Sequence, residues 1–161
     1  MLLRTQSETA MDELEKQTRT ERVETRLKGC GWQVTPYDPT APQKTYAHHA
    51  VREYPTQNGP TDYALFCEGR IVGIIEAKRL SLGPQNVLVQ AQRYARGISS
   101  TTFTFDGFRV PFIYSTNGEI LWFQDLREQN CYSRRIWNFH TPAALGEMLE
   151  RDLRGYGLQG F

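Results

Sequence analysis

The run Ile71-Val72-Gly73-Ile74-Ile75 leads straight into Glu76-Ala77-Lys78, and no other stretch restricts the fold so tightly. A short apolar run rich in β-branched residues reads as a strand buried on both faces. Upstream, Asp62-Tyr63-Ala64-Leu65-Phe66 is a second β-rich run, separated from the first by Glu68-Gly69-Arg70. So short a connection with Gly at its centre predicts an antiparallel hairpin. Pairing across that turn sets Asp62, at the start of one strand, opposite the far end of the other, where Glu76 and Lys78 stand. Being two apart in a strand, Glu76 and Lys78 share a face while Ala77 points to the other.

Charged groups at the end of a doubly buried strand are costly unless something compensates them. A hard divalent cation does so. Mg²⁺ takes one or two carboxylates with water and phosphate oxygens, so Asp62 and Glu76 would hold it and the Ala77 carbonyl would add a third protein oxygen. Lys78 would orient or deprotonate an attacking water and offset charge developing on a phosphate. A structural ion pair at the rim of an ordinary sheet uses the same three residues, and an acid-x-Lys triplet alone does not separate the two readings. Three features favour catalysis: Pro60-Thr61-Asp62 one hairpin upstream, the apolar run ending on Glu76, and a downstream helix carrying Gln90 and Tyr94.

With these residues in place, the chain resembles the PD-(D/E)xK nuclease superfamily. Asp62, Glu76 and Lys78 stand at its motif positions, and Gln90-Ala91-Gln92-Arg93-Tyr94 matches the Gln-x-x-x-Tyr signature of its RecB-like branch. Within that branch it is similar to the N-terminal nuclease domain of type I restriction enzyme R subunits (HsdR), from Glu21-Arg22-Val23-Glu24-Thr25-Arg26 through Pro111-Phe112-Ile113-Tyr114-Ser115-Thr116-Asn117-Gly118-Glu119 to Phe139-His140-Thr141-Pro142. Thr61 stands where the superfamily's name implies Asp directly after Pro, which leaves the carboxylate in place. The resemblance implies a restriction-endonuclease-like α/β fold, a mixed central sheet with helices on both faces. It implies Asp62 and Glu76 as metal ligands, Lys78, Gln90 and Tyr94 as catalytic-site residues, and Glu24 as an acidic residue of the first helix close to the metal; a solvated helix-face Glu explains Glu24 equally well. Gln90, Arg93, Tyr94 and Arg79 would meet DNA.

The same resemblance implies cleavage of unmethylated foreign double-stranded DNA, with methyltransferase and specificity subunits as partners. ATP and S-adenosylmethionine would act only through the rest of that complex. The chain holds no Gly-rich loop ending in Gly-Lys-Ser or Gly-Lys-Thr, so the ATP-driven translocase of an R subunit would lie outside it. Residues 1–161 are thus expected to be one nuclease domain, the N-terminal fragment of a longer subunit. A RecB-like repair or standalone nuclease shares every catalytic residue, and a non-catalytic DNA-binding or docking module would keep the fold alone.

Length and charge fit this picture without requiring it. The 161 residues suffice for one core. The formal charge of +1 lacks the basic excess of proteins that bind nucleic acid by bulk electrostatics, so DNA contacts must be local. Around the motif Arg70, Lys78, Arg79, Arg93 and Arg96 outnumber Asp62, Glu68 and Glu76. Cys30, Cys67 and Cys131 are odd in number and lack metal-site spacing, so they read as reduced. His48 and His49 are adjacent and would point to opposite faces of a strand. Neither an apolar leader nor a membrane span is present, and a cytoplasmic protein is expected.

In chain order, the pattern predicts a helix from about Ser7 to Lys28, with Met11, Leu14, Val23 and Leu27 as its sparse apolar positions and its early turns exposed. Trp32–Thr35 reads as extended, Pro36–Pro42 as a loop and His48–Tyr54 as a strand. After a loop over Arg79–Gly83, a helix over Gln85–Ile98 carries Val87, Ala91, Tyr94 and Ile98 toward the sheet, with Gln90 flanking Tyr94. Ser99–Gly107 reads as a loop or irregular strand near the nucleic acid. A second hairpin joins Val110–Ser115 to Ile120–Phe123 across Asn117-Gly118. Cys131–Ile136 reads as an edge strand, Thr141-Pro142 starts a last helix through about Arg151, and Gly155–Phe161 reads as a tail without order of its own.

Overall fold

A computed structural model describes residues 5–78, 84–99, 107–128 and 132–151, for 84–87 the backbone alone. Chain order runs α1 (Gln6–Gly29), β1 (Gln33–Pro36), a 3₁₀ turn (Gln43–Thr45), β2 (His49–Tyr54), β3 (Thr61–Cys67), β4 (Arg70–Ala77), α2 (Pro84–Arg96), β5 (Phe112–Thr116), β6 (Leu121–Asp125), β7 (Arg134–Ile136) and α3 (Pro142–Glu150). The expectations for Arg79, Cys131, the 100–106 part of the Ser99–Gly107 stretch, the Val87 side chain and the Gly155–Phe161 tail lie outside the described residues.

Among the described residues the seven strands form one sheet in sequential order. β1 with β2 and β4 with β5 are parallel, and the other neighbours are antiparallel. The sheet is therefore mixed, as expected. On one face Val23 and Leu27 of α1 and Leu145 of α3 pack with Tyr63, Leu65, Ile75 and Tyr114. On the other, Leu88, Ala91 and Ala95 of α2 pack with Ala64, Phe66, Ile71, Ile74 and Ile113. Burial of β4 on both faces explains its unbroken apolar run: Ile71, Val72, Ile74 and Ile75 are all inaccessible, each contributing roughly 1.5–3 kcal/mol of transfer free energy.

Local chemistry sets the element boundaries. Thr5 caps α1 in a capping box with Glu8, so the helix begins as a stable turn although Met11 and Leu14 are exposed beyond the sheet. The β3–β4 turn has two residues, Glu68 and Gly69, both at positive φ (49° and 78°), the backbone that matches the twist of a tight hairpin. Gly73 lets strands close up: a Cβ there would stand 3.3 Å from the Phe112 carbonyl oxygen. The β5–β6 connection spans 117–120, four residues rather than the expected two. Asn117 Oδ1 accepts from the amides of Glu119 and Ile120 and shapes a wider turn. Thr141 caps α3 through the Ala144 amide, and Pro142 occupies its first turn.

Candidate active site

Because β1, β2, β4 and β5 run in one direction, their carboxyl ends lie along one edge of the sheet, the edge where open α/β sheets place ligands. β3 runs the other way and begins there. Its register, Tyr63 with Ile75, brings Asp62 beside Glu76. The Glu76 Oε1 accepts from the Asp62 amide at 3.1 Å and the Thr61 hydroxyl at 3.0 Å. Asp62 Oδ2 in turn accepts from the Ala77 amide at 2.7 Å. Lys78 Nζ stands 3.5 Å from Asp62 Oδ2 and 3.6 Å from Glu76 Oε2, and the Lys78 amide is held by the Thr116 carbonyl. The structure thus brings Asp62, Glu76 and Lys78 together.

The electrostatics of the three differ. Glu76 is 1% exposed; burial, then the neighbouring Asp62 charge, push its carboxyl up to about 7 against the pull of Lys78. Burial disfavours charged Lys78, yet Asp62 and Glu76 outweigh it and raise its ammonium above the ordinary value. Glu76 Oε2 is buried and has no hydrogen-bond partner. Each carboxylate therefore has one oxygen tied by backbone and one that no described amide or hydroxyl engages. Such oxygens suit a hard cation, and the donor set contains no imidazole or thiolate. No group of three His, Cys, Asp or Glu able to hold a metal occurs among the described residues. With two carboxylates and the Ala77 carbonyl at most, the remaining ligands would be water and substrate oxygens, the habit of Mg²⁺.

Ser115 belongs to this neighbourhood, although nothing in the sequence reading marked it. It pairs with Glu76 across the parallel β4–β5 ladder, is 1% exposed, and its hydroxyl has no hydrogen-bond partner. Its signal is a small polar residue in the otherwise bulky buried strand Phe112-Ile113-Tyr114-Ser115-Thr116.

On α2, Gln90 Nε2 donates to the Tyr94 hydroxyl at 2.9 Å, and Tyr94 is one of the groups raising Lys78. The loop that delivers Asp62 is fastened to the end of this helix. Asn58 Nδ2 donates to the Arg93 carbonyl at 2.7 Å and the Gln57 amide to the Gly97 carbonyl at 2.9 Å. A Cβ on Gly59 would lie 3.5 Å from the Tyr94 ring. Gln90 and Tyr94 thus join the edge that carries the trio. The Arg93 side chain is exposed, and Arg79 lies outside the described residues.

Glu24 is engaged apart from the trio. Both its oxygens accept from Arg52, at 2.6 and 2.9 Å, and Oε1 also accepts from the Tyr63 hydroxyl at 3.1 Å. The Arg52 hydrogen bond holds its carboxyl below the ordinary value despite partial burial. Arg70 and Glu68, expected beside the motif, instead lie at the opposite end of the hairpin: Arg70 opens the strand that Ala77 closes. At about 3.3 Å per residue they are about 20 Å from Glu76. His48 and His49 sit at the start of β2, the same remote end. Cys30 and Cys67 are free thiols. No helix among the described residues is long and apolar enough to cross a membrane.

Comparison with known proteins places this geometry. A family model, the second domain of the type I restriction enzyme EcoKI endonuclease subunit, matches residues 34–149. The EcoKI endonuclease subunit of Escherichia coli (strain K12) is 23% identical over 175 aligned residues, which cover 79% of this chain but 15% of that protein. A solved fragment assigned to an HsdR subunit of a type I restriction enzyme from Vibrio vulnificus YJ016 has the same fold at a TM-score of 0.57, with 21% identity over 84% of this chain and 25% of that one.

Proposed function

The chain belongs to the family of the second domain of the type I restriction enzyme EcoKI endonuclease subunit, and from that premise we propose that it is the DNA-cutting unit of an R subunit. In this reading it is a magnesium-dependent endodeoxyribonuclease of the PD-(D/E)xK superfamily, RecB-like branch, with residues 1–161 as one nuclease domain. The observation that carries the proposal is the Glu76 carboxylate, buried with one oxygen that accepts no hydrogen bond, beside Asp62 and Lys78. A carboxylate so placed costs folding free energy that a ligand cation offsets.

Asp62 and Glu76 would hold Mg²⁺, which when bound polarises a phosphate oxygen and acidifies a coordinated water. Thr61 and the Asp62 amide fix one oxygen of Glu76, and the Ala77 amide fixes one of Asp62, which leaves the second oxygen of each to the ion. Lys78, kept cationic between the carboxylates, orients the attacking water and offsets charge on the phosphate. Gln90 and Tyr94 organise the site from α2, and with Arg93 and Arg79 would touch the DNA. Glu24 acts as a positioning residue, holding Tyr63 next to Asp62.

The wider role is drawn from the family. The substrate would be unmethylated foreign double-stranded DNA in the cytoplasm. The chain would work within an R subunit carrying a translocase, beside methyltransferase and specificity subunits that supply the ATP- and S-adenosylmethionine-dependent steps. The test is calorimetric titration of Mg²⁺ and Mn²⁺ into the chain and its Asp62→Ala variant, with plasmid nicking by both. Loss of binding and nicking in the variant is the expected result. Binding that ignores the substitution would remove the metal role of Asp62 and leave a docking module on the same fold.

A further inference from the structure

Beside the trio, between the middle of α1 and the ends of β1, β2 and β4, lies an open cleft of about 450 Å³. Lys16 and Arg19 of α1 stand on one wall, Tyr37 and Arg52 on the other, and Asp62 and Ala77 at its inner end. We propose that this cleft seats the sugar-phosphate backbone of the DNA strand leading to the cut phosphate, with Lys16 and Arg19 as its phosphate-binding cations. The proposal rests on the nuclease reading and deepens it by assigning where the substrate lies.

Four observations support it. First, the cleft ends on Asp62, which is one-third exposed, whereas Glu76 is closed off. Second, the charges are sorted along it. Arg52 is held by Glu24 and the exposed Glu53 lines the β2 side. No ion pair or hydrogen bond engages the side chains of Lys16 and Arg19 among the described residues, so their charge is available to a ligand. Third, the two are three apart on a helix, about 4.5 Å along its axis, within reach of successive phosphates, which rise about 3.4 Å per nucleotide in one strand. Fourth, Tyr37 is 40% exposed and braced edge-on by Tyr54 at 5.5 Å, which gives a sugar or an unstacked base a firm apolar wall. The overhang of α1 explains itself on this account. Its turns before Val23 bury no apolar residue, since only Val23 and Leu27 are buried, and they serve to carry Lys16 and Arg19 past the reacting centre.

The test is the affinity of a fluorescently labelled duplex oligonucleotide for the 161-residue chain, read by anisotropy over a range of salt with Ca²⁺ replacing Mg²⁺. The doubly substituted Lys16→Gln, Arg19→Gln chain should bind at least about tenfold more weakly at low salt. The slope of log affinity against log salt should fall by about 2, near 0.9 for each phosphate no longer neutralised. A control pair on the far edge strand, Arg134→Gln with Arg135→Gln, should stay within about twofold of the unmodified chain. Lys16 is exposed and Arg19 half-buried on the helix surface, and a thermal melt checks that the fold survives. Unchanged affinity and slope in the α1 variant, an equal loss in the control, or no duplex binding by the unmodified chain would each overturn the proposal. Failure of the nuclease reading looks different: metal binding and nicking indifferent to Asp62→Ala, with DNA affinity still dependent on Lys16 and Arg19.

Discussion

Two carboxylate clusters, linked through the adjacent β3 residues Asp62 and Tyr63, are built on opposite plans. Around Glu24 every oxygen is used: Arg52 grips it with two nitrogens and Tyr63 adds a third hydrogen bond, so the ionised form is favoured. Around Glu76 one oxygen accepts hydrogen bonds and the other, buried, accepts none, with a second carboxylate near and the Lys78 ammonium 3.6 Å away. There burial and Asp62 penalise the ionised form. The first cluster is complete within the protein; the second is complete only with something added. Polar groups of a fold are normally satisfied where they support it and left wanting where they receive a ligand. On the proposed reading, the difference separates a structural carboxylate from a metal-binding one more sharply than either residue's place in the sequence.

The largest expected effect comes from exchanging charge for neutrality at the incomplete cluster. Glu76→Gln keeps the shape, and its amide oxygen still accepts from Thr61 and the Asp62 amide. DNA cleavage should fall by at least about 10²–10³-fold, the usual cost of removing one electrostatic group from a reacting centre. Without metal, the thermal midpoint should hold or rise, because burial and the neighbouring Asp62 penalise the Glu76 charge more than Lys78 at 3.6 Å supports it. A fall in stability with cleavage retained would reverse the roles of the two clusters.

The complementary substitution, Glu24→Gln, should do the opposite. It breaks a charge-assisted pair that is 13% exposed on the carboxylate side and 39% on the arginine side, so screening trims the loss to about 1–2 kcal/mol. Cleavage should change only a fewfold, through Tyr63. Because the Glu24 carboxyl is held low, its stabilisation is fully present above the ordinary value of 4.5 and is lost as the pH falls through the lowered one. Melts of the unmodified chain and of Glu24→Gln should therefore converge on acidification, and a gap that persists at the acid end would show that packing, not charge, joins these residues.

Legibility followed distance along the chain. Asp62, Glu76 and Lys78 were readable because one hairpin and strand alternation suffice to bring them together, and the sheet's mixed character followed from a hairpin, a helix and a second hairpin in succession. The Glu24–Arg52 pair spans 28 residues, and no periodicity reports which helix face will meet which strand. Arg70 is near the motif in number and far from it in space, because an extended strand carries it away from Glu76 at about 3.3 Å per residue. Ser115 needed the β4–β5 register, fixed by a parallel crossover through α2 that a local pattern cannot supply. The four-residue β5–β6 turn replaced a two-residue one because the Asn117 side chain caps two amides at once.

The smallest expected effect lies on α2, at Tyr94. Its hydroxyl accepts from Gln90 and its ring lies against the Gly59 segment, which leads through Pro60 to Asp62. Tyr94→Phe keeps the ring and removes the hydroxyl, so the loop remains fastened by Asn58 and Gln57, and stability should change by no more than about 1 kcal/mol. What the hydroxyl does for Lys78 is electrostatic and indirect, and the expected loss is less than about tenfold in cleavage rate with metal affinity unchanged. Tyr94→Ala, by contrast, removes the wall behind Gly59 and should weaken metal binding as Asp62 loses its fixed approach. If Phe proves as damaging as Ala, the hydroxyl itself takes part in the reaction, and the incomplete cluster extends from the sheet onto α2.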